Sequence, residues 1–188
     1  MIKAIIFDSH DTVIRNGLNF VLKKGQVLKS ATWKPFWRGK ITEDEFWRRV
    51  AADEGKNEAW IKRSMIIYYS KSIPFKGILT LVRKLKKKYK LGFLANAPKP
   101  WVDDAISRFN LDKIFDVLVS SGETGLLKPD KEIYLLTCQK LGVPTRECLY
   151  IDDDHVKLKA AQELGMKGIL FKNIEQLEKR LKRGKFLG

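Results

Sequence analysis

Short apolar runs alternate with amphipathic stretches along most of this chain. One apolar run lies at the N-terminus, and four more follow after residue 74. The predicted strands cover residues 2–7, 91–95, 117–120, 148–151 and 168–171. Because these runs are apolar at nearly every position, they are typical of strands that are buried on both faces of a parallel sheet.

Helical patterns separate these strands, at residues 76–89, 100–109, 131–141 and 156–164. Strands that alternate with helices predict an α/β protein, with a Rossmann-like open parallel sheet covered by helices on both faces. Residues 16–73 break the pattern, because the short stretch 20–22 is their only strand-like run. Helical patterns begin there near Thr42, followed by three acids, and near Glu58. We therefore predict a core domain of residues 1–15 and 74–188, with an inserted all-α domain at 16–73.

The chain is strongly basic, with 37 Lys and Arg against 22 Asp and Glu and a formal charge of +15. The basic runs 84–90 and 179–185 lie in amphipathic patterns, so we interpret them as solvated helix faces and predict no specific nucleic-acid partner. No apolar run approaches the length of a membrane span, and we expect no membrane association and a cytoplasmic location. Cys138 and Cys148 match no metal-ligand spacing and are predicted to be buried, reduced thiols.

Polar residues follow several of the predicted strands. Asp8 and four further residues follow the first strand, Asn96 follows the second, Lys128 lies in the loop 122–129, and an acidic run begins at Asp152. Ligands of open parallel sheets bind at the carboxyl ends of the strands, so these side chains are expected to converge. Carboxylates repel one another unless a cation lies among them, and oxygen ligands suit Mg²⁺.

Four stretches in this order resemble the motifs of the haloacid dehalogenase (HAD) superfamily. The matching stretches are Phe7-Asp8-x-x-x-Thr12-Val13, Phe93-Leu94-Ala95-Asn96, Gly125-Leu126-Leu127-Lys128-Pro129-Asp130 and Tyr150-Ile151-Asp152-Asp153. The insert is similar to the small helical cap that follows the first motif in a phosphatase-type branch. Each motif alone is weak, whereas four in order with the right strand context are specific.

The resemblance implies roles for individual residues. Asp8 matches the nucleophile that forms an aspartyl-phosphate. Asp8, the main-chain carbonyl of His10 and Asp153 match the ligands of Mg²⁺, and Asp152 matches a supporting position. Lys128 matches a catalytic cation that holds Asp8 and the transferring phosphoryl group. The predicted substrate-binding residues are Thr12, Asn96 and Lys128.

The sequence departs from the family pattern in and beside the motifs. His10 replaces a second aspartate that acts as general acid and base, and we expect surrounding acids to favour its charged form. Asp11 replaces a glycine but tolerates the left-handed region. Ala95 replaces a residue whose hydroxyl donates a hydrogen bond to the phosphoryl oxygens, and the loss of this donor would slow the reaction. Since His10 and His155 are expected to face each other, a transition-metal site stays open as an alternative.

Three functions are compatible with these residues. The first is a Mg²⁺-dependent phosphatase of a small phosphorylated metabolite, catalytic through Asp8, His10 and Lys128, with His10 and Ala95 weakening turnover. The second is a non-hydrolytic descendant that binds a phospholigand or a partner. The third is a 2-haloacid dehalogenase, although dehalogenases of the family replace Asp152 and Asp153 by serines. The chain is expected to be a monomer or a homodimer.

Overall fold

The computed structural model describes residues 1–15 and 31–187, apart from the side chains of residues 62, 65, 66, 68 and 69. The strand-like stretch 20–22 lies outside the described residues. The strands are β1 (Ala4–Asp8), β2 (Ile14–Arg15), β3 (Ile73–Pro74), β4 (Lys90–Ala95), β5 (Val117–Ser120), β6 (Cys148–Asp152) and β7 (Lys167–Leu170). The helices are α1 (Trp33–Trp37), α2 (Glu43–Asp53), α3 (Glu58–Lys71), α4 (Ile78–Lys86), α5 (Lys99–Phe109), α6 (Ser121–Thr124), α7 (Lys131–Leu141), α8 (His155–Glu163) and α9 (Ile174–Arg183).

Five parallel strands form the central sheet in the order β5-β4-β1-β6-β7. The chain builds one side of the sheet from β1 outwards and then returns to build the other side. The crevice at the carboxyl end of β1 therefore lies where the strand order reverses, which is the usual ligand site of such sheets. The predicted fold class is confirmed, and the sheet places Asp8, the last residue of β1, at this crevice.

Helices cover both faces of the sheet because alternate side chains of each strand point to opposite faces. Ile5 and Phe7 of β1 pack on one face with apolar residues of α4, α5 and α9. Ile6 packs on the other face with residues of α7 and α8. Within the basic runs, Lys84 of α4 and Lys179 of α9 are exposed, as predicted, while Leu81 and Leu177 of the same helices fill the core.

The helical segment, residues 33–71, consists of the helices α1 to α3 joined by short turns. Its helices pack around an aromatic cluster in which Phe36 stacks on Phe46, with ring centroids 4.0 Å apart. The hydroxyl oxygen of Thr42 accepts a hydrogen bond from the main-chain nitrogen of Glu45, as expected of a helix cap. Trp101 of α5 belongs to the same cluster and joins the helical segment to the sheet.

Two unpredicted short elements flank the helical segment. β2 and β3 pair as an antiparallel ribbon of two residues each, which is too short to produce a periodic pattern. The predicted boundaries at residues 15 and 74 fall in this ribbon, and the division into two domains stays a prediction. α1 was also not predicted, because its five residues span little more than one turn.

Side-chain and main-chain contacts hold the end of α1 against the part of the chain that forms the sheet. The Ser121 hydroxyl donates a hydrogen bond to the main-chain oxygen of Trp37 over 2.6 Å. Arg38 forms an ion pair with Asp130, with 2.8 Å between nitrogen and oxygen. A Cβ atom at Gly39 would lie 2.4 Å from the main-chain oxygen of Gly122, so only glycine fits there.

Cys138 and Cys148 are free and buried, as expected, with their sulfur atoms 3.5 Å apart. In residues 1–15 and 31–187, every helix is too short or too polar to cross a bilayer.

Candidate active site

Three carboxylates meet at the carboxyl ends of β1 and β6. One oxygen from each of Asp8, Asp152 and Asp153 lies within 4.8 Å of the other two. Asp8 and Asp152 are 3% and 0% exposed, and Asp153 is exposed to solvent. Buried like charges at this distance destabilise the fold unless cations or hydrogen bonds compensate them.

Lys128 supplies a buried cation to this cluster. Its ammonium nitrogen contacts a carboxylate oxygen of Asp8 and lies 3.4 Å from an oxygen of Asp152. It also donates to the main-chain oxygen of Leu94 over 3.0 Å. Lys128 is 2% exposed, so its charge acts in a medium of low dielectric constant. The structure brings together Asp8 and Lys128, as predicted from the sequence.

Asn96 holds the main chain of Lys128 on both sides. Its amide nitrogen donates to the main-chain oxygen of Lys128 over 2.9 Å, and its amide oxygen accepts from the main-chain nitrogen over 2.9 Å. Asn96 was predicted to bind substrate, and it does line the cavity described below. Its two hydrogen bonds also give it a positioning role towards Lys128, which the sequence did not predict.

Tyr150 is a further member of the site that sequence reasoning missed. Its hydroxyl donates to a carboxylate oxygen of Asp152 and lies 3.1 Å from the Lys128 ammonium nitrogen. The main-chain nitrogen of Asp154 donates to the other Asp152 oxygen over 2.8 Å. Burial, aided by the charge of Asp8, raises the pKa of Asp152 above its usual range. Asp152 therefore lies behind Asp8 and Lys128, and its supporting role stays a prediction.

A tight turn after β1 shapes the floor of the site. Asp11 adopts φ of 59°, so the left-handed conformation expected at this position is present. The main-chain nitrogens of Val13 and Ile14 donate to the main-chain oxygen of Ser9. Thr12 is fully buried, and its hydroxyl has no hydrogen-bond partner among the described residues. Thr12 is not among the residues that line the cavity, and neither is Ala95.

His10 differs from the sequence-based expectation in its charge. Burial lowers its pKa to about 4, and the opposing effect of the Asp11 charge is smaller. Asp11 therefore favours the charged form, as expected, but burial outweighs it and the imidazole is neutral near pH 7. The Nδ1 atom of His10 lies 3.2 Å from the hydroxyl oxygen of Ser9. His155 is exposed at the start of α8 and does not line the cavity that His10 enters.

The acidic cluster also shifts the pKa values of its outer members. Although the residue is exposed, its carboxylate is partly desolvated at the edge of the site, and this desolvation, together with the charges of Asp8 and Asp152, raises the pKa of Asp153 to about 7. Burial acts to lower the pKa of Lys157, but the charges of Asp8 and Asp152 outweigh it and raise that pKa. Lys157 thus adds a second cation beside the carboxylates.

A cavity of about 480 Å³ opens above these groups. This volume lies within the range of small-molecule sites. The side of the cavity that contains the candidate catalytic groups is lined by Asp8, His10, Asn96, Lys128, Asp153 and Lys157. Residues of α1 and α5 form the facing wall, so a ligand at Asp8 would lie between the sheet and the helical segment.

The acidic cluster fits a magnesium ion. One oxygen of Asp8 contacts Lys128, whereas Oδ2 is buried and accepts no hydrogen bond from the described residues. Such an oxygen retains a lone pair for a cation, and Asp153 supplies a second carboxylate nearby. An all-oxygen donor set of this kind suits Mg²⁺.

A family model for haloacid dehalogenase-like hydrolases matches residues 2–165. The chain therefore belongs to this family, as its motifs suggested.

Individual relatives extend the comparison. The chain is 28% identical to flavin mononucleotide hydrolase 1 of Arabidopsis thaliana, over 94% of this chain and 75% of that protein. It is 23% identical to drimenol cyclase drtB of Aspergillus calidoustus, over 96% of this chain but 36% of that protein. A HAD family enzyme of Bacteroides thetaiotaomicron, solved with magnesium and inorganic phosphate, superimposes with a TM-score of 0.77 at 23% identity. That superposition covers 92% of this chain and 95% of the other.

Proposed function

We propose that this protein is a magnesium-dependent phosphatase that hydrolyses a small phosphorylated metabolite through an aspartyl-phosphate on Asp8. One observation carries the proposal. The buried ammonium group of Lys128 contacts Asp8 at the floor of a cavity, with the carboxylates of Asp152 and Asp153 alongside. This arrangement provides a nucleophile, a charge-stabilising cation and a cation site within one crevice.

The reaction would proceed in two displacements at phosphorus. A carboxylate oxygen of Asp8 attacks the phosphorus atom, the bond from phosphorus to the ester oxygen breaks, and the leaving alcohol takes a proton from a solvent water molecule. A second water molecule then attacks the phosphorus atom of the aspartyl-phosphate, and its proton passes to the neutral imidazole of His10 and from there to the hydroxide that the first step left in solvent. The bond between phosphorus and the Asp8 oxygen breaks, so that inorganic phosphate leaves and the Asp8 carboxylate returns. The Lys128 ammonium group offsets the charge that collects on the phosphoryl oxygens, and Asn96 keeps the Lys128 main chain in place.

Asp8, Asp153 and the main-chain carbonyl of His10 would hold the magnesium ion. The bound ion would offset the negative charge of the acids and of the transferring phosphoryl group. The unused oxygen of Asp8 supports this assignment. The name of the Arabidopsis relative, a flavin mononucleotide hydrolase, supports phosphate-ester hydrolysis as the type of reaction.

We further propose that the helical segment acts as a cap over the phosphate site. Its residues form the cavity wall that faces Asp8 and Lys128, which is where the organic part of a substrate would lie. The cytoplasmic location, the monomeric or homodimeric state and the lack of a specific nucleic-acid partner stay predictions from the sequence.

Steady-state hydrolysis of p-nitrophenyl phosphate, with and without Mg²⁺, tests the proposal. We expect metal-dependent release of phosphate that Asp8→Asn abolishes. Asp112→Asn is the matched control, because Asp112 is an exposed aspartate outside the cavity. Hydrolysis that persists in Asp8→Asn would contradict the role of Asp8. Metal-independent chloride release from 2-chloropropionate would favour a dehalogenase instead.

A further inference from the structure

The wall of the cavity that faces the phosphate site is aromatic. It contains the indole rings of Trp33 and Trp37 from α1 and of Trp101 from α5. The ring centroids of Trp33 and Trp37 are 5.3 Å apart, and those of Trp33 and Trp101 are 6.3 Å apart. The three rings therefore form one continuous surface, contributed by both the helical segment and the sheet domain.

Part of this surface is core, and part is available to a ligand. Trp33 and Trp101 are 4% and 6% exposed, and they also stabilise the aromatic cluster. The indole nitrogen of Trp101 donates to a carboxylate oxygen of Glu43 over 2.9 Å, so its polar edge is already used. Trp37 is only partly buried against the cluster while it lines the cavity. Trp37 therefore offers the most ring surface to a bound molecule.

The main chain of Trp37 is held, and its ring packs against Trp33, before any ligand binds. The Ser121 hydroxyl holds its main-chain oxygen, and the next residue, Arg38, is paired with Asp130. Asp130 lies two residues after Lys128, so these contacts connect the aromatic wall to the catalytic loop. A wall fixed in this way loses little conformational freedom on binding, which favours affinity.

We propose that the substrate is a phosphate monoester that carries a flat aromatic ring system, and that Trp37 recognises the ring. This inference rests on the proposed phosphatase function. The phosphate would lie at Asp8 and Lys128, and the ring would stack on the indole wall across the cavity. Stacked aromatic rings gain stabilisation beyond burial of apolar area, so a ring is preferred to a saturated group of equal size.

Flavin mononucleotide and ribitol 5-phosphate provide a matched pair of probes. Hydrolysis of either probe breaks the same phosphate ester bond of a ribityl phosphate. Only flavin mononucleotide carries a ring system. We expect kcat/KM to be about tenfold higher for flavin mononucleotide, given the usual strength of base–aromatic stacking. Trp37→Leu, which keeps an apolar side chain, is expected to abolish this preference, and Trp37→Phe is expected to retain it.

Trp60→Leu is the control variant, because Trp60 is 41% exposed on α3 and does not line the cavity. Its preference ratio should equal that of the native protein. Each ratio compares two substrates of one variant, so a loss of folded protein cancels. Equal kcat/KM values for the two probes, or a ratio that survives in Trp37→Leu, would overturn the inference.

A binding measurement separates this inference from the proposed function. Isothermal titration calorimetry of Asp8→Asn gives dissociation constants for both probes without turnover. If the native protein with Mg²⁺ hydrolyses neither these probes nor p-nitrophenyl phosphate, the phosphatase proposal fails, and the ratio of the dissociation constants still decides the ring preference. We expect about tenfold tighter binding of flavin mononucleotide, and equal binding would refute the ring preference.

Discussion

Replacing Lys128 by methionine removes the buried cation of the site and keeps most of the side-chain volume. The ammonium group of Lys128 contacts Asp8 and lies 3.4 Å from Asp152, and both carboxylates are almost fully buried. In Lys128→Met these two charges face each other with no cation between them. We therefore expect the metal-free variant to lose stability as well as activity.

The size of this loss follows from the burial of the pair. Removing one partner of a buried ion pair costs about 3–5 kcal/mol, because the remaining charge is left uncompensated. For a protein of 188 residues, each kcal/mol lowers Tm by about 2–4 °C. The metal-free variant should therefore unfold about 6–20 °C below the native protein. Saturating Mg²⁺ should restore part of the difference, since a divalent cation also neutralises the carboxylates.

Thermal unfolding followed by circular dichroism at pH 7.5, with chelator and with Mg²⁺, measures both effects. Lys159→Met is the control, because its side chain is 77% exposed and its ion pair with Glu163 is long, at 3.9 Å. An exposed pair of this kind contributes about 0–1 kcal/mol. If metal-free Lys128→Met unfolds within about 2 °C of the native protein, less than 1 kcal/mol has been lost and the electrostatic role assigned to Lys128 is wrong.

Other residues of the site give further predictions. Asn96→Ala should lower kcat about tenfold in steady-state assays with little change in KM, because it releases the main chain of the cation that stabilises the transition state. His10→Asp should raise kcat for alkyl phosphates about a hundredfold, by restoring a general acid, and should help p-nitrophenyl phosphate much less, since nitrophenolate leaves without a proton. The affinity for Mg²⁺ in calorimetry should fall about tenfold per pH unit below pH 7, because protonation of Asp153, with its pKa raised to about 7, competes with the metal.

The sequence was sufficient to predict the sheet and the convergence of its polar ends. Each strand is a local apolar run, and parallel strands bring their carboxyl ends to one edge whatever lies between them. Asp8 and Asp152 end β1 and β6, so their meeting follows from the topology. Lys128 was found through its motif, although a loop lysine has no periodic signal of its own.

Tyr150 and Asn96 show where prediction from the sequence stopped. Tyr150 lies inside the apolar run of β6, so the sequence pattern indicates only a core residue. The pattern does not indicate whether its hydroxyl points towards the site. It contacts Lys128 across 22 positions of sequence, and Asn96 contacts the same residue across 32. Such contacts depend on how the loop before α7 folds back over β4. The periodicity of hydrophobic residues along the sequence does not indicate how this loop folds. The aromatic wall was missed for the same reason, since Trp101 and α1 meet only in the folded chain.

Prediction from the sequence failed at His10 for a different reason. Its neighbours were correctly identified, but its charge was not. Acidic residues within a few positions of His10 are visible in the sequence, and each of them favours the charged imidazole. Burial acts in the opposite direction, and it depends on how closely the turn after β1 packs against the rest of the site. In the folded protein burial is the larger effect, and the pKa falls to about 4.

Near pH 7 the imidazole ring of His10 is therefore neutral and can accept a proton from water more readily than it can supply one to a leaving alcohol. The weak step of the proposed reaction is thus departure of the alcohol, and hydrolysis of the aspartyl-phosphate is less affected.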